Sequence, residues 1–366
     1  MVYTTLLVVA ATLLAGAASD MYSAPSPLGA TYCPEPADIY PCVCKEQDIH
    51  IDMDCSEIQD NDQLQRIFHS SIPFDTYRDF IIMKNTTEER VQISYLTKET
   101  FANVSFSSIF ISHTTLDYIS SDAFENSYSR LETVIITDSF LTTFPFDMLS
   151  SCPVLTDIRL FRNSINHMAD IHSDSLKYLH MSYNPNLQYS DEAFIDAPAL
   201  EYLILNDIDL KHVARNAFTD LPPLKYLDLS HNLLQTLYER SLTFDKTLDQ
   251  LKLDSNQINI VQADSISGLK AGTFLWMQHN YITDLEEEVW QPIFESVNDN
   301  PENNLFVFDD NPLTCQCNIL WLVQNDTYMD TMALEAYCED TDQFLEFVDV
   351  AFLQENCLRK EYFWFS

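Results

Sequence analysis

Glycine and positive charge are what this chain has least of: 4 of its 366 residues are glycine, and 19 are Lys or Arg against 56 Asp or Glu. There is no phosphate-binding glycine loop, and neither H-E-x-x-H nor G-x-S-x-G occurs, so the common nucleotide, zinc-hydrolase and serine-hydrolase signatures are missing. The formal net charge of −37 argues against nucleic acid and anionic membranes as partners, because both are repelled by such a surface. Solubility alone accounts for the charge; a cationic partner or bound calcium is the sharper reading. The pair Asp309 and Asp310 and the run Glu286 to Glu288 lack the spacing of a calcium loop, however. Long apolar runs are scarce too. Leu6 to Leu14, followed by small residues up to Ser19, reads as a secretory signal over residues 1–19, and it is short for a membrane span. No later stretch is apolar enough to cross a bilayer, and the closing LRKEYFWFS is too short for a lipid-anchor signal. The expectation is a soluble, extracellular protein with no membrane anchor and a linker over residues 20–32.

What the chain has in abundance is leucine at an uneven spacing. The stretch LKYLDLSHNLLQTL spaces leucines at 224, 227, 229, 234 and 237 around Asn232, a set that fits neither a single helix nor an alternating strand. The same apolar positions recur 24 residues earlier in LEYLILNDIDLKHV from Leu200 and 24 later in LDQLKLDSNQINIV from Leu248, and again from Leu176. With a looser period, units open near Tyr77, Phe106, Leu131, Leu155, Gly272 and Asn303, so roughly ten units fill residues 77–310. Counting Leu224 as position 1, Leu227 and Leu229 point to one face of a short strand, and Tyr226, Asp228 and Ser230 to the other. Asp228 is thereby expected in solvent, where replacing it changes stability by less than about 0.5 kcal/mol.

A unit of this length cannot bury its apolar face alone, so neighbours stack, pair their strands in parallel and share one core. Asn232, at position 9, has an amide that can donate to and accept from the backbone groups a sharp turn leaves unpaired. Asn85, Asn163, Asn184, Asn256, Asn280 and Asn311 hold the same slot, whereas Thr114, Ser139 and Ile208 interrupt the series. Position 19 adds a second apolar column of Phe124, Leu149, Phe194, Phe218, Leu242, Ile266 and Trp290, expected behind the sheet. The pattern L-x-x-L-x-L-x-x-N-x-L is that of leucine-rich repeats. It predicts an α/β solenoid: a horseshoe with a parallel concave β-sheet and a mostly irregular or short-helical convex side.

A solenoid needs caps where its core would meet water. Cys33, Cys42, Cys44 and Cys55 precede the first repeat, and Cys315, Cys317, Cys338 and Cys357 follow the last, which puts caps at residues 33–76 and 311–357 and leaves a tail at 358–366. Four cysteines can bind zinc or form two disulfides; behind a secretory signal, disulfides are the expectation, with three connectivities open in each group. The repeats together with these flanks, above all NPLTCQCNILWL, resemble the extracellular leucine-rich-repeat family with cysteine-rich caps over almost the whole mature chain. That resemblance implies Cys33 with Cys44, Cys42 with Cys55, Cys315 with Cys338 and Cys317 with Cys357. More narrowly, CPEPADIYPCVC with the following LQRIF resembles the arthropod group named after the non-catalytic leucine-rich subunit of Oplophorus luciferase. This implies a non-enzymatic accessory chain and says nothing of light emission, since a family label does not transfer a partner. Cys152 has no obvious mate; it holds the slot that Leu221 fills in a later unit, which suggests a buried thiol, with an intermolecular bridge as the alternative.

Catalytic and metal-binding arrangements are not expected. His113, His231 and His279 share position 8, but even the nearest two are two units apart, roughly 10 Å at strand spacing, and read as solvated side chains. The outer face of the strands is the informative surface, because apolar residues there are not needed for the core. Tyr178, Tyr202 and Tyr226 hold position 3 in successive units; Ile81, Phe110 and Ile135 hold position 5 near the N-terminal end; Phe274 and Trp276 stand near the C-terminal end. Aromatic residues offer large contact area at little entropic cost, so these are candidate protein-binding residues, although packing between adjacent strands explains such a ladder as well. Sequons occur at Asn85, Asn103 and Asn325; at Asn85 a glycan conflicts with a buried ladder amide. The reading is a secreted binding module, without enzyme activity or cofactor, for another extracellular protein. Roughly ten strands give a sheet some 45 Å long, enough for a standard interface. The alternative is a stabilising subunit of a secreted enzyme complex.

Overall fold

The computed structural model describes residues 32–47, 50–84, 89–297, 305–333 and 335–361; the signal segment, nearly all of the linker and Asn85 lie outside them. From Cys33 onward each repeat contributes one strand to a common sheet. Its strands, in order, are Val43–Gln47, His50–Asp54, Thr76–Met83, Ser105–Ser112, Thr133–Thr137, Asp157–Arg159, Tyr178–His180, Tyr202–Ile204, Tyr226–Asp228, Gln250–Lys252, Phe274–Trp276 and Leu305–Val307. The first two are antiparallel and all later pairs are parallel. The sheet therefore extends beyond the repeats, because the hairpin of the N-terminal cap pairs with the first of them. Equal positions pair throughout, as Tyr178 with Tyr202 and Tyr202 with Tyr226. Leu227 and Leu229 are fully buried, and all seven residues of the position-19 column lie behind the sheet in the core. The convex side holds short pieces such as Lys98–Phe101, Glu125–Ser127 and Phe146–Ser151, with the eleven-residue helix Glu287–Val297 the longest of them.

The turn after each strand is made without glycine. His113, Asp138, Arg162, Tyr183, Asp207, His231, Ser255, His279 and Asp310, all at position 8, adopt φ between 49° and 57°. A side chain there costs about 1 kcal/mol relative to glycine. The geometry lets the position-8 amides from Asp138 to His279 donate to the position-7 carbonyl of the next unit, as His231 does to Asp254 at 3.0 Å and Ser255 to Gln278 at 2.9 Å. Glycine is obligatory at Gly268, where φ is +71° and a Cβ would sit 1.7 Å from the Phe244 carbonyl oxygen.

The asparagines lock this turn. Asn232 Nδ2 donates to the position-6 carbonyls of its own and the preceding unit, Leu229 at 3.0 Å and Leu205 at 2.9 Å, and Asn256 does the same to Leu253 and Leu229. Asn256 Oδ1 accepts from the Leu234 amide at 3.1 Å. At the interruptions, the Thr114 and Ser139 hydroxyls bond to each other at 2.8 Å, and Ile208 is packed as core.

Four disulfides close the ends: Cys33–Cys44, Cys42–Cys55, Cys315–Cys338 and Cys317–Cys357. Cys357 lies on the helix Val350–Glu361, which runs on past it. Rings seal the core at both ends. Phe68, on the cap helix Asn61–Phe68, meets Phe80, Phe101 and Phe106 with centroids 5.3 to 5.9 Å away, and Phe294 meets Phe306 and Trp321 at 4.9 and 5.6 Å. Cys152 is a free thiol, 1% exposed, which burial pushes up to about 11, so its sulfur is not presented for a bridge to another chain.

Candidate functional site: the concave sheet face

Two columns of side chains run side by side across the sheet, because position 3 pairs with position 3 and position 5 with position 5. Position 3 carries Asp157, Tyr178, Tyr202, Tyr226, Gln250 and Phe274 in sequence. Position 5 carries Ile81, Phe110 and Ile135, then Arg159, His180, Ile204, Asp228, Lys252 and Trp276. The three groups singled out in the sequence thus share one face. Ile81, Phe110 and Ile135 adjoin one another at one end; the tyrosines form a continuous ladder, with centroids 5.8 Å apart for Tyr178 and Tyr202 and 6.4 Å for Tyr202 and Tyr226. Phe274 and Trp276 share one strand, separated from Tyr226 by the strand Gln250–Lys252. Tyr202 is 38% exposed, and the other seven are half-buried.

The charged members of the columns were missed by a search for apolar residues, although the repeat frame alone assigns them to this face. Arg159 grips Asp157 through two hydrogen bonds, at 2.9 and 2.7 Å, and places its guanidinium 4.5 Å from the Tyr178 ring centroid. His180 stacks on Phe161 at 4.6 Å; burial and the nearby Arg159 charge push it down to about 4, so it is neutral at physiological pH. Burial and Asp228 push the Tyr226 phenol up, keeping it a hydrogen-bond donor.

Asp228 itself overturns an expectation. Instead of lying in solvent it is 6% exposed, accepting from Tyr226 Oη at 3.1 Å, Ser230 N at 3.0 Å and Ser230 Oγ at 2.5 Å, with Lys252 Nζ 3.4 Å away. Ser230 is also buried. A short side chain on an inward-curving face is roofed by longer neighbours on adjacent strands, so pointing away from the core does not make it wet.

The position-8 histidines stay apart. His113 Nδ1 is 2.9 Å from Ser112 Oγ, His279 Nδ1 is 3.1 Å from Asp310 Oδ2, and His231 is exposed. Among the described residues no three His, Cys, Asp or Glu side chains are grouped to hold a metal ion. Of the sequons, Asn103 is exposed, while Asn325 caps the helix Asp326–Thr331, its Oδ1 accepting from Thr327 N at 3.1 Å and Tyr328 N at 3.4 Å.

Comparison with known proteins bears on the same architecture. The family description "Leucine rich repeat" matches residues 198–258, and "BspA type Leucine rich repeat region (6 copies)" matches residues 70–184. The non-catalytic subunit of Oplophorus-luciferin 2-monooxygenase from Oplophorus gracilirostris is 32% identical over 307 residues, 82% of this chain and 81% of that protein. Among solved structures, a chain from an octameric complex of latrophilin 3, Unc5D and FLRT2 superposes with a TM-score of 0.57 at 17% identity, over 78% of this chain and 82% of that one. A chain from the Drosophila Toll–Spatzle complex gives 0.54 at 17% identity, over 81% of this chain and 45% of that one, so this chain spans less than half its length. The two structural likenesses establish the solenoid fold alone.

Proposed function

This chain belongs to the leucine-rich-repeat family of the Oplophorus-luciferin 2-monooxygenase non-catalytic subunit, and from that premise we propose that it is a secreted, non-enzymatic protein whose concave sheet binds another extracellular protein. The observation that carries the reading is the pair of adjoining columns, in which half-exposed aromatic rings alternate with ordered charges on a surface the core does not use. Rings held by their neighbours lose little freedom on binding, and the ion pairs supply direction. In this reading Tyr178, Tyr202 and Tyr226 form the centre of the contact, with Phe110 and Ile135 on one side and Phe274 and Trp276 on the other. The sequon residues Asn103 and Asn325 lie outside the strands that make this face.

A partner captured from extracellular fluid tests the reading. Replacing Tyr178, Tyr202 and Tyr226 together with Ala is expected to weaken its binding by 30-fold or more, since hot-spot truncations cost about 2 kcal/mol or more each without being additive. Unchanged affinity with an intact fold removes the centre of the sheet as the contact. The relative's printed role favours a more specific second reading, that the partner is the catalytic chain of a secreted complex. Stoichiometric co-elution of this chain with an enzyme in native size-exclusion chromatography supports that version, and elution alone rejects it.

A further inference from the structure

The C-terminal cap holds a cavity of about 440 Å³, the size of a small-molecule site, between the helix Glu287–Val297 and the corner where the short helices Leu320–Val323 and Asp326–Thr331 meet. Polar side chains line it. Glu287 and Gln291, one turn apart, face it from the long helix, and Gln324 and Thr327 from the corner. Gln291 Nε2 donates to Glu295 Oε1 at 3.0 Å, so its own amide oxygen is left to accept from a ligand. Asn325 lines the same cavity, and with Asp326 and Thr327 it makes a sequon. The fold treats the two branches of its amide differently. Oδ1 accepts from Thr327 N at 3.1 Å and from Tyr328 N at 3.4 Å, which fixes the side chain. Nδ2, the atom to which an N-linked sugar attaches, has no acceptor among the described residues and keeps contact with solvent. The bonds that hold Asn325 in place therefore survive attachment of a sugar, because they use the other atom.

We infer that this cavity is the seat of the first N-acetylglucosamine of a glycan on Asn325, which braces the C-terminal cap against the helix Glu287–Val297. The inference rests on the secretory reading above and goes beyond it in giving the sugar a place and a structural task. The donor is a polyprenyl-diphosphate-linked oligosaccharide. A bond forms between Asn325 Nδ2 and the sugar C1, the C1–O bond to the diphosphate breaks, the amide nitrogen gives up one proton, and the polyprenyl diphosphate leaves with the electron pair. Nothing is oxidised or reduced. Once attached, the ring begins one bond from an atom of the cavity wall, so the contact is intramolecular and escapes most of the entropic cost that a free sugar bears. Its hydroxyls and acetamide both donate and accept, which matches the Glu287 carboxylate and the Gln291 and Gln324 amides. Asn103, exposed on the turn after Lys98–Phe101, lies outside this cavity and serves as the reference sequon.

The test uses the full chain, exported through its own N-terminal segment from a eukaryotic host that adds high-mannose glycans, and trimmed by endoglycosidase to a single N-acetylglucosamine at each occupied site. Mass spectrometry of its glycopeptides is expected to find the sugar on Asn325. Hydrogen exchange in the helix Glu287–Val297 is expected to be at least threefold slower in this protein than in Asn325→Asp, which takes no glycan but keeps an oxygen for the cap. Thr327→Ala, which removes the sequon and leaves Asn325 in place, is expected to exchange as Asn325→Asp does. Adding Gln291→Ala/Gln324→Ala removes the protection from the trimmed protein and changes little in Asn325→Asp, so the cycle separates contacts with the sugar from effects on the helix itself. Equal exchange in trimmed wild type and both unglycosylated variants, or protection that persists in Gln291→Ala/Gln324→Ala, puts the sugar in solvent and overturns the inference. A sugar on Asn103 with none on Asn325 overturns it alone. Sugar on neither, or a chain that is not exported, takes the secretory reading down with it.

Discussion

The first three repeats and the later ones build the same sheet by different means. Strands in the early repeats run through eight, eight and five residues, Thr76–Met83, Ser105–Ser112 and Thr133–Thr137; from Asp157 onward every strand of this sheet is three residues long. The second and third repeats carry Thr114 and Ser139 at position 9, and every later repeat except that of Ile208 carries asparagine there. An asparagine amide captures two position-6 carbonyls, which takes those carbonyls out of strand pairing and turns the chain at once. Thr114 and Ser139 offer one hydroxyl donor each and spend it locally, so Ile111 and Ser112 go on to pair with Ile136 and Thr137. In these repeats the position-9 side chain thus favours either extended pairing or a tight turn, while the Ile208 repeat keeps a three-residue strand without an asparagine between neighbours that have one. The outer face follows suit: the long early strands show Ile81, Phe110 and Ile135, while the short later ones show tyrosines and ion pairs.

That contrast is sharpest at position 9. Asn256→Ala leaves the Leu234 amide without its acceptor and takes one of two asparagine donors from each of the buried Leu229 and Leu253 carbonyls, and is expected to cost about 3 kcal/mol, whereas Thr114→Val, which takes the acceptor of the Leu116 amide and the partner of the Ser139 hydroxyl at constant shape, costs about 2 kcal/mol. Urea unfolding of both variants checks this, and equal losses erase the distinction between the two regions.

A smaller effect is expected at Asp228, whose carboxylate ties Tyr226 to Ser230 beneath the later part of the face. Asp228→Ala should cost about 2 kcal/mol, well above the value for an exposed position, and Asp228→Asn less, because one amide oxygen still accepts. A loss below about 0.5 kcal/mol for Asp228→Ala means the site is wet after all.

Smallest, and opposite in sign at two places, is the response to pH. His180 titrates near 4 in the fold and near 6.5 when unfolded, so the unfolded chain takes the proton first. Its contribution is present above pH 6.5 and is lost as pH falls toward 4. Asp309 has its folded value raised to about 6, through burial, Glu335 and Asp310, so the fold is favoured while it is protonated and loses that support as pH rises from about 4 to 6. Melting temperatures between pH 4 and 7 should show the advantage of wild type over His180→Gln shrinking in acid. The advantage of Asp309→Asn over wild type should grow toward neutrality. Parallel pH curves for wild type and either variant contradict the corresponding burial.

Much of this was legible because repetition makes local signals add up. The period, the two faces of each strand, the asparagine slot and the position-19 column needed only the spacing around Leu224 and its copies. The tyrosine ladder was equally plain, since residues one period apart at position 3 must be neighbours on adjacent strands. Arg159, His180 and Lys252 were assigned to the outer face by the same frame and passed over because polar residues are unremarked on a surface. Asp228 was misread for a related reason: alternation tells which way a side chain points, but whether water reaches it depends on what the next strand places above it.

By itself, then, the amino-acid sequence determined a stacked solenoid with ten repeat strands, an apolar interior and cysteine-bearing ends, because each of those follows from a pattern within one repeat or its exact recurrence. Only the tertiary structure decided that the cap hairpin continues the sheet, that Asp228 and Asp254 are covered, and that the Tyr337–Phe344 hairpin closes over Asp309 to make a cavity. Those outcomes depend on how far the sheet bends inward and on how an irregular cap folds back against the last turn, and neither leaves a period in the chain to be read.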